Sequence, residues 1–342
     1  MQSGRYDHYD EDDVRVRPSR RGSRPRSKLR PRHEDAVEGF VIAVDRGRYQ
    51  VLVDGVVVTA VKSRNLGRKG IVIGDSVGLI GDVSGDPDTL ARIVKQYPRR
   101  SVLRRTADDT DPVERVIVAN ADQLVIVAAL AEPPPRPRLI DRCLVAAYDA
   151  GLTPILLLTK ADLASPDELL ALYGDLDVQI FITRIRDGEA DGIEEVRRAL
   201  SGKVTVLVGH SGVGKSTLVN ALVPDASRAT GEVNVVTGRG RHTSTSAVAL
   251  PLPDDTGWVI DTPGVRSFGL AHIDVDKIID HFPELLEGTS ECPRACSHDE
   301  PDCGLDDFVA SRSESQPHLR HRLDSLRRLL RSRSSEDDAP RT

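Results

Sequence analysis

The stretch GHSGVGKST, residues 209–217, constrains the fold of this chain more than any other feature. It fits G-x-x-x-x-G-K-[ST], in which glycines permit a tight turn whose backbone N–H groups face phosphate oxygens. Lys215 is expected to reach the β- and γ-phosphates, and the Ser216 hydroxyl to ligate Mg²⁺. The run KVTVLVG before the loop predicts a buried strand, and TLVNALV after it predicts a helix, which together make a nucleotide site. The loop residues expected to contact the nucleotide are Gly209, His210, Ser211, Gly212, Val213, Gly214, Lys215, Ser216 and Thr217.

A second motif, TKAD at residues 159–162, precedes the phosphate loop. It fits [NT]-K-x-D and ends an apolar strand, where open α/β sheets bind ligands. Asp162 can accept hydrogen bonds from guanine N1–H and the exocyclic amine, whereas adenine would leave this carboxylate unpaired. Lys160 can lie along the ring and Thr159 can brace the loop, with Ala161 completing the motif. Among the enzyme classes that use a phosphate loop, the TKAD motif favours a GTPase over an ATPase or a small-molecule kinase.

A third motif, DTPG, begins at Asp261 and ends the strand WVID. Asp261 is expected to reach the water shell of Mg²⁺, and the Gly264 N–H to reach the γ-phosphate. The Gly- and Ser/Thr-rich stretch 238–246 lies between the phosphate loop and this motif. We interpret it as a mobile switch in which Thr243 or Thr245 binds Mg²⁺; a plain surface loop is the alternative.

The order of these motifs is itself informative. Most GTPases run phosphate loop, switch threonine, DxxG and base motif, but here the base motif comes first, which predicts a circularly permuted domain. A sheet nucleus with adjacent termini tolerates such a rearrangement. The chain then leaves DTPG directly into its C-terminal region, so the nucleotide state could move that region. Thr183, which follows the next strand, is placed where a second guanine-contacting loop would fall.

Composition divides the chain into four predicted parts. Residues 1–33 are rich in Arg, Ser, Pro and Asp and are expected to form a disordered basic tail. Residues 34–97 contain five short β-rich runs, which predict a barrel of the OB type, with an SH3-like barrel as the alternative. Residues 98–274 open with a polar linker, 98–112, and continue as the alternating strands and helices of a doubly wound parallel α/β sheet. Residues 275–342 are expected to be helical around a Cys/His cluster, followed by a basic tail.

Charge is distributed unevenly along the 342 residues, whose net charge is −6. The segments 15–32 and 312–333 are basic and could bind a phosphate backbone, although a solvated tail and a solvated helix explain them as well. No apolar run approaches the length of a membrane helix, and no signal-peptide core is present. We therefore expect a cytoplasmic protein without a membrane partner. In that reducing compartment, the three clustered cysteines of the four indicate metal ligands rather than disulfides.

The chain resembles the ribosome small-subunit-dependent GTPase A family (RsgA, also called YjeQ) over about residues 36–330. The resemblance lies in the OB-like N-terminal region, in the motif order TKAD, GHSGVGKST, RHTST, DTPG, and in the Cys/His cluster that follows these motifs. The resemblance implies a circularly permuted GTPase that binds the 30S subunit, with its 16S rRNA, during late maturation and is stimulated by it. We expect a monomer. RNA contact is expected from a barrel loop with Lys62, Arg64, Arg68 and Lys69, from the Cys/His region and from the basic C-terminal helix.

The resemblance also implies one zinc ion per chain, and three thiolates with one imidazole suit tetrahedral Zn²⁺. The matching ligands are Cys292, Cys296, His298 and Cys303. Reduced, metal-free thiols are the alternative.

The catalytic group is not given by a motif. Val265 stands where many GTPases carry a glutamine that orients the attacking water, and the family shares this hydrophobic replacement. His242, in the switch stretch, is the candidate to orient or deprotonate water; a surface histidine is the alternative. The leading hypothesis is thus a GTPase switch. An RNA-binding module that uses GTP as a conformational ligand is the alternative, and a metabolic ATPase comes third.

Overall fold

A computed structural model describes residues 33–67, 70–105, 115–186, 189–224, 247–253, 256–262, 278–312, 315–316 and 318–331. All elements below belong to the compact unit Asp35–Thr342. No helix in these ranges is long and apolar enough to cross a bilayer. The domain boundaries that composition suggests at 97 and 274 stay predictions.

Five strands near the N-terminus close into a barrel. They are β1 (Val37–Asp45), β2 (Arg48–Val53), β3 (Val56–Lys62), β4 (Ser76–Ile80) and β5 (Ala91–Gln96), with a 3-10 turn at Arg64–Leu66. The order is β1-β2-β3-β5-β4, and β4 pairs back onto β1, with Val37 opposite Leu79. Alternate residues such as Val51, Val58 and Ile93 are fully buried inside. With the parallel pair β3–β5, this is the Greek-key barrel of the OB type, as predicted.

The prediction of a polar linker at 98–112 is wrong in part. Its residues Val102–Arg105 form β6, which pairs antiparallel with β7 (Arg115–Ala119). Leu103 and Val118 are buried and join the main core. The strand escaped prediction because only two apolar residues stand between flanking arginines, which is too short a run to show a period of two.

The central sheet has the predicted doubly wound form. Its strands are β8 (Gln123–Ala129), β9 (Thr153–Thr159), β10 (Gln179–Ile182), β13 (Val204–Val208), β14 (Val248–Pro251) and β15 (Trp258–Asp261). They run in the order β10-β9-β8-β13-β15-β14, and all adjacent pairs except β14–β15 are parallel. A small hairpin, β11 (Arg184–Arg186) with β12 (Glu189–Asp191), follows β10. At the other edge, Ala43 of β1 pairs with Val248 of β14, so the barrel continues this sheet.

Seven helices cover the sheet in the described ranges. They are α1 (Pro137–Asp149), α2 (Asp167–Tyr173), α3 (Ile193–Leu200), α4 (Lys215–Leu222), α5 (Pro283–Leu286), α6 (Gly304–Arg312) and α7 (His318–Arg331), and Glu287–Glu291 forms a 3-10 segment. The residues of β8 alternate between two cores, as a strand covered on both faces requires. One core includes α3 and α4, and the other includes α1 together with apolar residues of α5, α6 and α7. The C-terminal helices therefore share a core with the sheet.

Candidate nucleotide site and metal centre

The three nucleotide motifs meet at one edge of the sheet. TKAD starts at the last residue of β9, the phosphate loop follows β13, and DTPG starts at the last residue of β15. These strands belong to the parallel stretch β9-β8-β13-β15, so their carboxyl ends face the same side. That edge is where open α/β sheets bind ligands.

The phosphate loop has the backbone that its glycines permit. Gly212 and Gly214 have φ of 87° and 90°, a region that disfavours residues with a Cβ. A Cβ on Gly209 would lie 2.7 Å from the Val127 carbonyl oxygen, so this position needs glycine for close packing. Helix α4 begins at Lys215, directly after the turn. Within the motif, Val213 is buried, whereas Ser211, Gly212, Ser216 and Thr217 are exposed.

Lys215 joins the phosphate loop to the end of β15. Its ammonium forms an ion pair with the Asp261 carboxylate and donates to the Thr262 carbonyl at 2.6 Å. The Lys215 side chain is only 10% exposed. Thr262 is held in turn, because its hydroxyl donates to the Leu207 carbonyl at 2.7 Å. Lys215, which the sequence assigned to phosphate, and Asp261, which it assigned to Mg²⁺, are thus in direct contact although they come from different motifs.

Thr159 joins TKAD to the phosphate loop. Its buried hydroxyl donates to the Val213 carbonyl at 2.6 Å, so the two motifs hold each other in register. The next residue, Lys160, has a left-handed backbone with φ of 59° and donates from its ammonium to the Glu132 carbonyl. Glu132 lies in the proline-rich β8–α1 loop, which no motif marked as part of the site. Its only sequence signal is position, because it follows the strand between β9 and β13.

Asp162 and Thr183 occupy the far end of this edge. Asp162 accepts from Arg186 Nη1 at 3.3 Å, a partner that sequence reasoning missed because it stands in no motif. Thr183 is 1% exposed, and its hydroxyl donates to the Leu158 carbonyl at 3.3 Å. Its carbonyl accepts the Ala161 N–H at 3.3 Å. Thr183 therefore supports TKAD through its backbone.

His210 lies on the phosphate loop beside two cationic side chains. Its Nδ1 is 3.0 Å from the Ser211 carbonyl oxygen. Burial lowers the pKa of the His210 imidazole, and the positive charges of Arg136 and Lys160 lower it further. The hydrogen bond to Ser211 acts in the opposite direction and raises this pKa, but it does not outweigh burial. The ring is consequently neutral at neutral pH and adds no charge to the loop.

Four predicted site residues lie outside the described residues. They are His242, Thr243, Thr245 and Gly264. Val265, the position of the missing glutamine, lies outside them as well. Their assignments to water activation, Mg²⁺ and the γ-phosphate stay predictions. Arg68 and Lys69 of the predicted RNA-binding loop also lie outside the described ranges.

The Cys/His cluster has the dimensions of a metal site. The candidate ligand atoms of Cys292, Cys296, His298 and Cys303 all lie within 4.8 Å of one another. The sulfurs of Cys292 and Cys303 are 3.8 Å apart, and His298 Nδ1 is 3.6 Å from the former and 4.0 Å from the latter. With Zn–S bonds of about 2.3 Å, a tetrahedron has edges of about 3.8 Å, so the donor set could hold a metal such as zinc.

Tight turns and hydrogen bonds shape this cluster. Ala295 and His298 have φ of 59° and 64°, which folds the short C-x3-C-x-H-x4-C spacing onto itself. The His298 N–H donates to Cys296 Sγ at 3.3 Å. Burial raises the pKa of the Cys296 thiol to about 12, with a further contribution from the Glu300 carboxylate. A metal would therefore release a proton from this thiol on binding.

Four arginines of the basic C-terminal helix form ion pairs with neighbouring elements. Arg322, Arg327, Arg328 and Arg331 of α7 each pair with an acidic side chain: Glu284, Asp306, Asp141 and Asp299, respectively. Arg322 is 8% exposed and also donates to the carbonyls of Asp175 and His281. Most of the charge that sequence offered as an RNA surface thus fastens α7 to its neighbours.

Comparisons with known proteins agree with this geometry. The sequence model for "RsgA GTPase" matches residues 96–271. The small ribosomal subunit biogenesis GTPase RsgA of Pseudomonas aeruginosa (strain LESB58) is 43% identical over 221 residues, 62% of this chain and 63% of that protein. The protein of the same name from Chlorobaculum tepidum is 38% identical over 279 residues, 79% of this chain and 88% of its own. The chain thus spans 63% of the length of the first of these relatives.

Solved structures show the same architecture. The crystal structure of YjeQ from Thermotoga maritima aligns with a TM-score of 0.59 and 26% identity, covering 86% of this chain and 98% of that one. The crystal structure of YloQ, described as a circularly permuted GTPase, aligns with a TM-score of 0.59 and 23% identity, covering 90% and 100%. The latter likeness shows the fold alone, and that fold is the permuted one that the order of motifs predicts.

Proposed function

The chain belongs to the RsgA GTPase family, and from this premise we propose that it hydrolyses GTP to GDP and phosphate as a step in biogenesis of the small ribosomal subunit. In this proposal the 30S subunit binds the protein during late maturation and stimulates hydrolysis, and the protein acts as a monomer in the cytoplasm. The relatives' shared name, small ribosomal subunit biogenesis GTPase, supports the biological process.

One observation carries the proposal: motifs in a permuted order converge on one site. The hydrogen bond from Thr159 to Val213 joins the base motif to the phosphate loop, and the ion pair of Lys215 with Asp261 joins that loop to DTPG. A glycine loop in an unrelated α/β domain has no reason to carry both connections.

The roles of individual residues follow from this placement. Backbone N–H groups of the phosphate loop and the Lys215 ammonium would bind the β- and γ-phosphates, which requires the ammonium to leave Asp261. Ser216, exposed at the start of α4, and Asp261 offer the hard oxygen donors that Mg²⁺ prefers. When bound, Mg²⁺ would neutralise charge on the phosphate oxygens. Asp162 would read the guanine edge, with Lys160 along the ring.

In this proposal His242 activates the attacking water. The Gly264 N–H contacts the γ-phosphate, and Thr243 or Thr245 binds Mg²⁺. Because Val265 cannot hydrogen-bond, hydrolysis is expected to stay slow until the imidazole is positioned. His242→Ala should then reduce stimulated turnover while GTP affinity stays unchanged. Near-normal turnover in this variant removes the assignment.

Zinc on the Cys/His cluster and RNA contact through the barrel complete the proposal. Four donors with tetrahedral spacing support one zinc ion per chain. For RNA, the exposed Arg64, with Lys62 beside it, supports the barrel loop as the contact. Because most of the named α7 arginines pair with acidic side chains in the fold, that helix is the weaker candidate.

The decisive experiment measures GTP hydrolysis by the full chain with and without 30S subunits. A GTPase switch predicts strong stimulation, whereas the alternative, an RNA-binding module for which GTP is a conformational ligand, predicts the same slow rate in both. Competition by ATP tests the base assignment in the same assay. Inhibition by ATP at concentrations comparable to GTP argues for an ATPase.

A further inference from the structure

A cationic side chain from the β11–β12 hairpin contacts the acid that reads the base. Arg186, the last residue of β11, places Nη1 3.3 Å from Asp162 Oδ2. The Asp162 side chain is 18% exposed and that of Arg186 is 64% exposed. The carboxylate is thus mostly enclosed, whereas the guanidinium that contacts it lies largely in solvent.

The hairpin is anchored next to TKAD at both of its ends. Before it, the Thr183 N–H donates to the Leu158 carbonyl at 2.8 Å, and the Thr183 carbonyl accepts from Ala161. After it, Gly192 has φ of 78°, and a Cβ there would overlap the Ile182 carbonyl, so only glycine lets the chain return this closely. The position of Arg186 relative to Asp162 is therefore set by the fold.

The hairpin carries a second arginine with a different partner. Arg184 donates to Asp191 Oδ2 at 2.9 Å and 2.5 Å and pairs with Glu189 at 3.4 Å within the hairpin. The hydrogen bond to Asp191 raises the pKa of Arg184 most, and the negative charge of Asp162 acts on Arg184 as well, as the smallest of the influences that raise that pKa. Residues 184 and 186 are two apart on a strand and share a face. Arg184 thus stabilises the hairpin, whereas Arg186 reaches out of it to the base motif.

We propose that Arg186 is a specificity-determining positioning residue, which holds the Asp162 carboxylate so that both oxygens can accept from guanine. An ionised carboxylate offers about four lone-pair sites, so Oδ2 can accept from Arg186 and from the base together. Guanine donates from N1–H and from the exocyclic amine, whereas hypoxanthine has only N1–H. A carboxylate fixed in orientation favours the two-donor base, since a rotated one loses the second hydrogen bond first.

The inference rests on the proposed GTP-binding function, and its test separates the two. Affinities of the full chain for GDP, IDP and ADP are measured for wild type, Arg186→Ala, Arg186→Lys and Arg184→Ala. Wild type should prefer GDP to ADP by orders of magnitude; absence of that preference refutes the proposed function, whatever Arg186 does.

Arg186→Ala should weaken GDP binding about two- to fivefold, the range expected for a solvent-exposed ion pair, and should weaken IDP binding less. Arg186→Lys should restore part of the loss, because an ammonium still donates but without the planar fork. Arg184→Ala should change the stability of the hairpin and should change the GDP-to-IDP ratio less than Arg186→Ala does, because Asp162 is the smallest of the influences on Arg184.

Two outcomes overturn the inference. Equal weakening of GDP and IDP means that Arg186 supports only the fold, and tighter GDP binding means that Arg186 competes with the base. A double-mutant cycle with Asp162→Ala closes the test: in that background Arg186→Ala should have no further effect. A loss that persists there places the action of Arg186 elsewhere.

Discussion

The nucleotide site and the Cys/His cluster are built in opposite ways. The nucleotide site joins residues far apart in sequence: Thr159 and Val213 are 54 residues apart, and Lys215 and Asp261 are 46 apart. The sulfurs of Cys292 and Cys303 meet across only 11 residues. The nucleotide site forms only when the whole sheet is folded, whereas the Cys/His cluster can form within one loop.

This difference has an energetic consequence. The strands that carry the nucleotide motifs are buried on both faces, so hydrophobic packing holds the site before any ligand arrives. The cluster instead gathers three thiols and an imidazole whose mutual approach gains little without a cation. We therefore expect the first site to depend on packing and the second on metal.

The largest expected effect comes from removing a metal ligand. Cys292→Ala should abolish stoichiometric zinc binding and cost several kcal/mol of stability in the C-terminal helices, because metal-binding energy in such sites is folding energy. GDP affinity should change less than about threefold. Metal content by mass spectrometry and thermal unfolding check this, with Cys143→Ala, a buried cysteine away from the cluster, as the control. Zinc retained at wild-type stoichiometry would place the metal elsewhere.

Lys215→Ala tests the other region. Loss of an ammonium that makes charge-assisted hydrogen bonds to phosphate should weaken GTP binding by about 100-fold, at about 1.5–3 kcal/mol for each bond. Zinc content should not change. Calorimetric titration with a non-hydrolysable GTP analogue measures the effect, and Lys203→Ala, at an exposed position before β13, is the matched control. An equal loss in both variants contradicts the role of Lys215.

Asp141 tests the contact between α1, which packs on the central sheet, and the C-terminal helix α7. It lies on α1, is 3% exposed and faces Arg328 of α7 at 3.7 Å, and its Oδ1 has no hydrogen-bond partner among the described residues. Burial raises the pKa of the Asp141 carboxyl to about 6, against the opposing charge of Arg328. Between about pH 4 and 6 the native state holds a proton that the unfolded chain has released. This group alone therefore lowers the unfolding free energy as pH rises through that window.

Asp141→Asn should remove this dependence. Relative to wild type, the variant should gain about 3 kcal/mol of stability between pH 4 and pH 7, from a shift of about two pKa units. Denaturant unfolding at both pH values measures the difference, and Asp307→Asn, at an exposed site on α6, should show none. A wild-type-minus-variant difference that is the same at both pH values contradicts the prediction.

The smallest effect concerns the brace between motifs. Thr159→Val leaves the Val213 carbonyl without its hydroxyl donor, and GDP affinity should fall about fivefold, corresponding to about 1 kcal/mol. Thr205→Val is the matched control, because that buried hydroxyl donates to Gln123 in the same sheet, away from the nucleotide edge. Both variants should lose stability, but only the first should lose affinity. If Thr205→Val weakens GDP binding equally, the effect comes from the sheet and not from the brace.

Several parts of the site were predictable because their chemistry is local. The loop around Gly214, the proposed base-reading Asp162 and the four candidate metal ligands each carry a residue type that the expected ligand demands at a fixed spacing. The barrel and the alternating strands were predictable from hydrophobic periodicity. By contrast, β6 and the β11–β12 hairpin were not, because charged residues make up at least half of each of these short runs and leave no apolar alternation to read.

The amino-acid sequence by itself determined the permuted order of motifs, and it predicted a preference for guanine over adenine and a set of candidate metal ligands, since each depends on residue identity along the chain. Tertiary structure alone decided which side chains meet: Thr159 with Val213, Lys215 with Asp261, and Arg186 with Asp162. It also pairs four arginines of α7 with acidic side chains of neighbouring elements. The reason is that pairing between distant residues depends on strand order and helix packing, which no local pattern encodes.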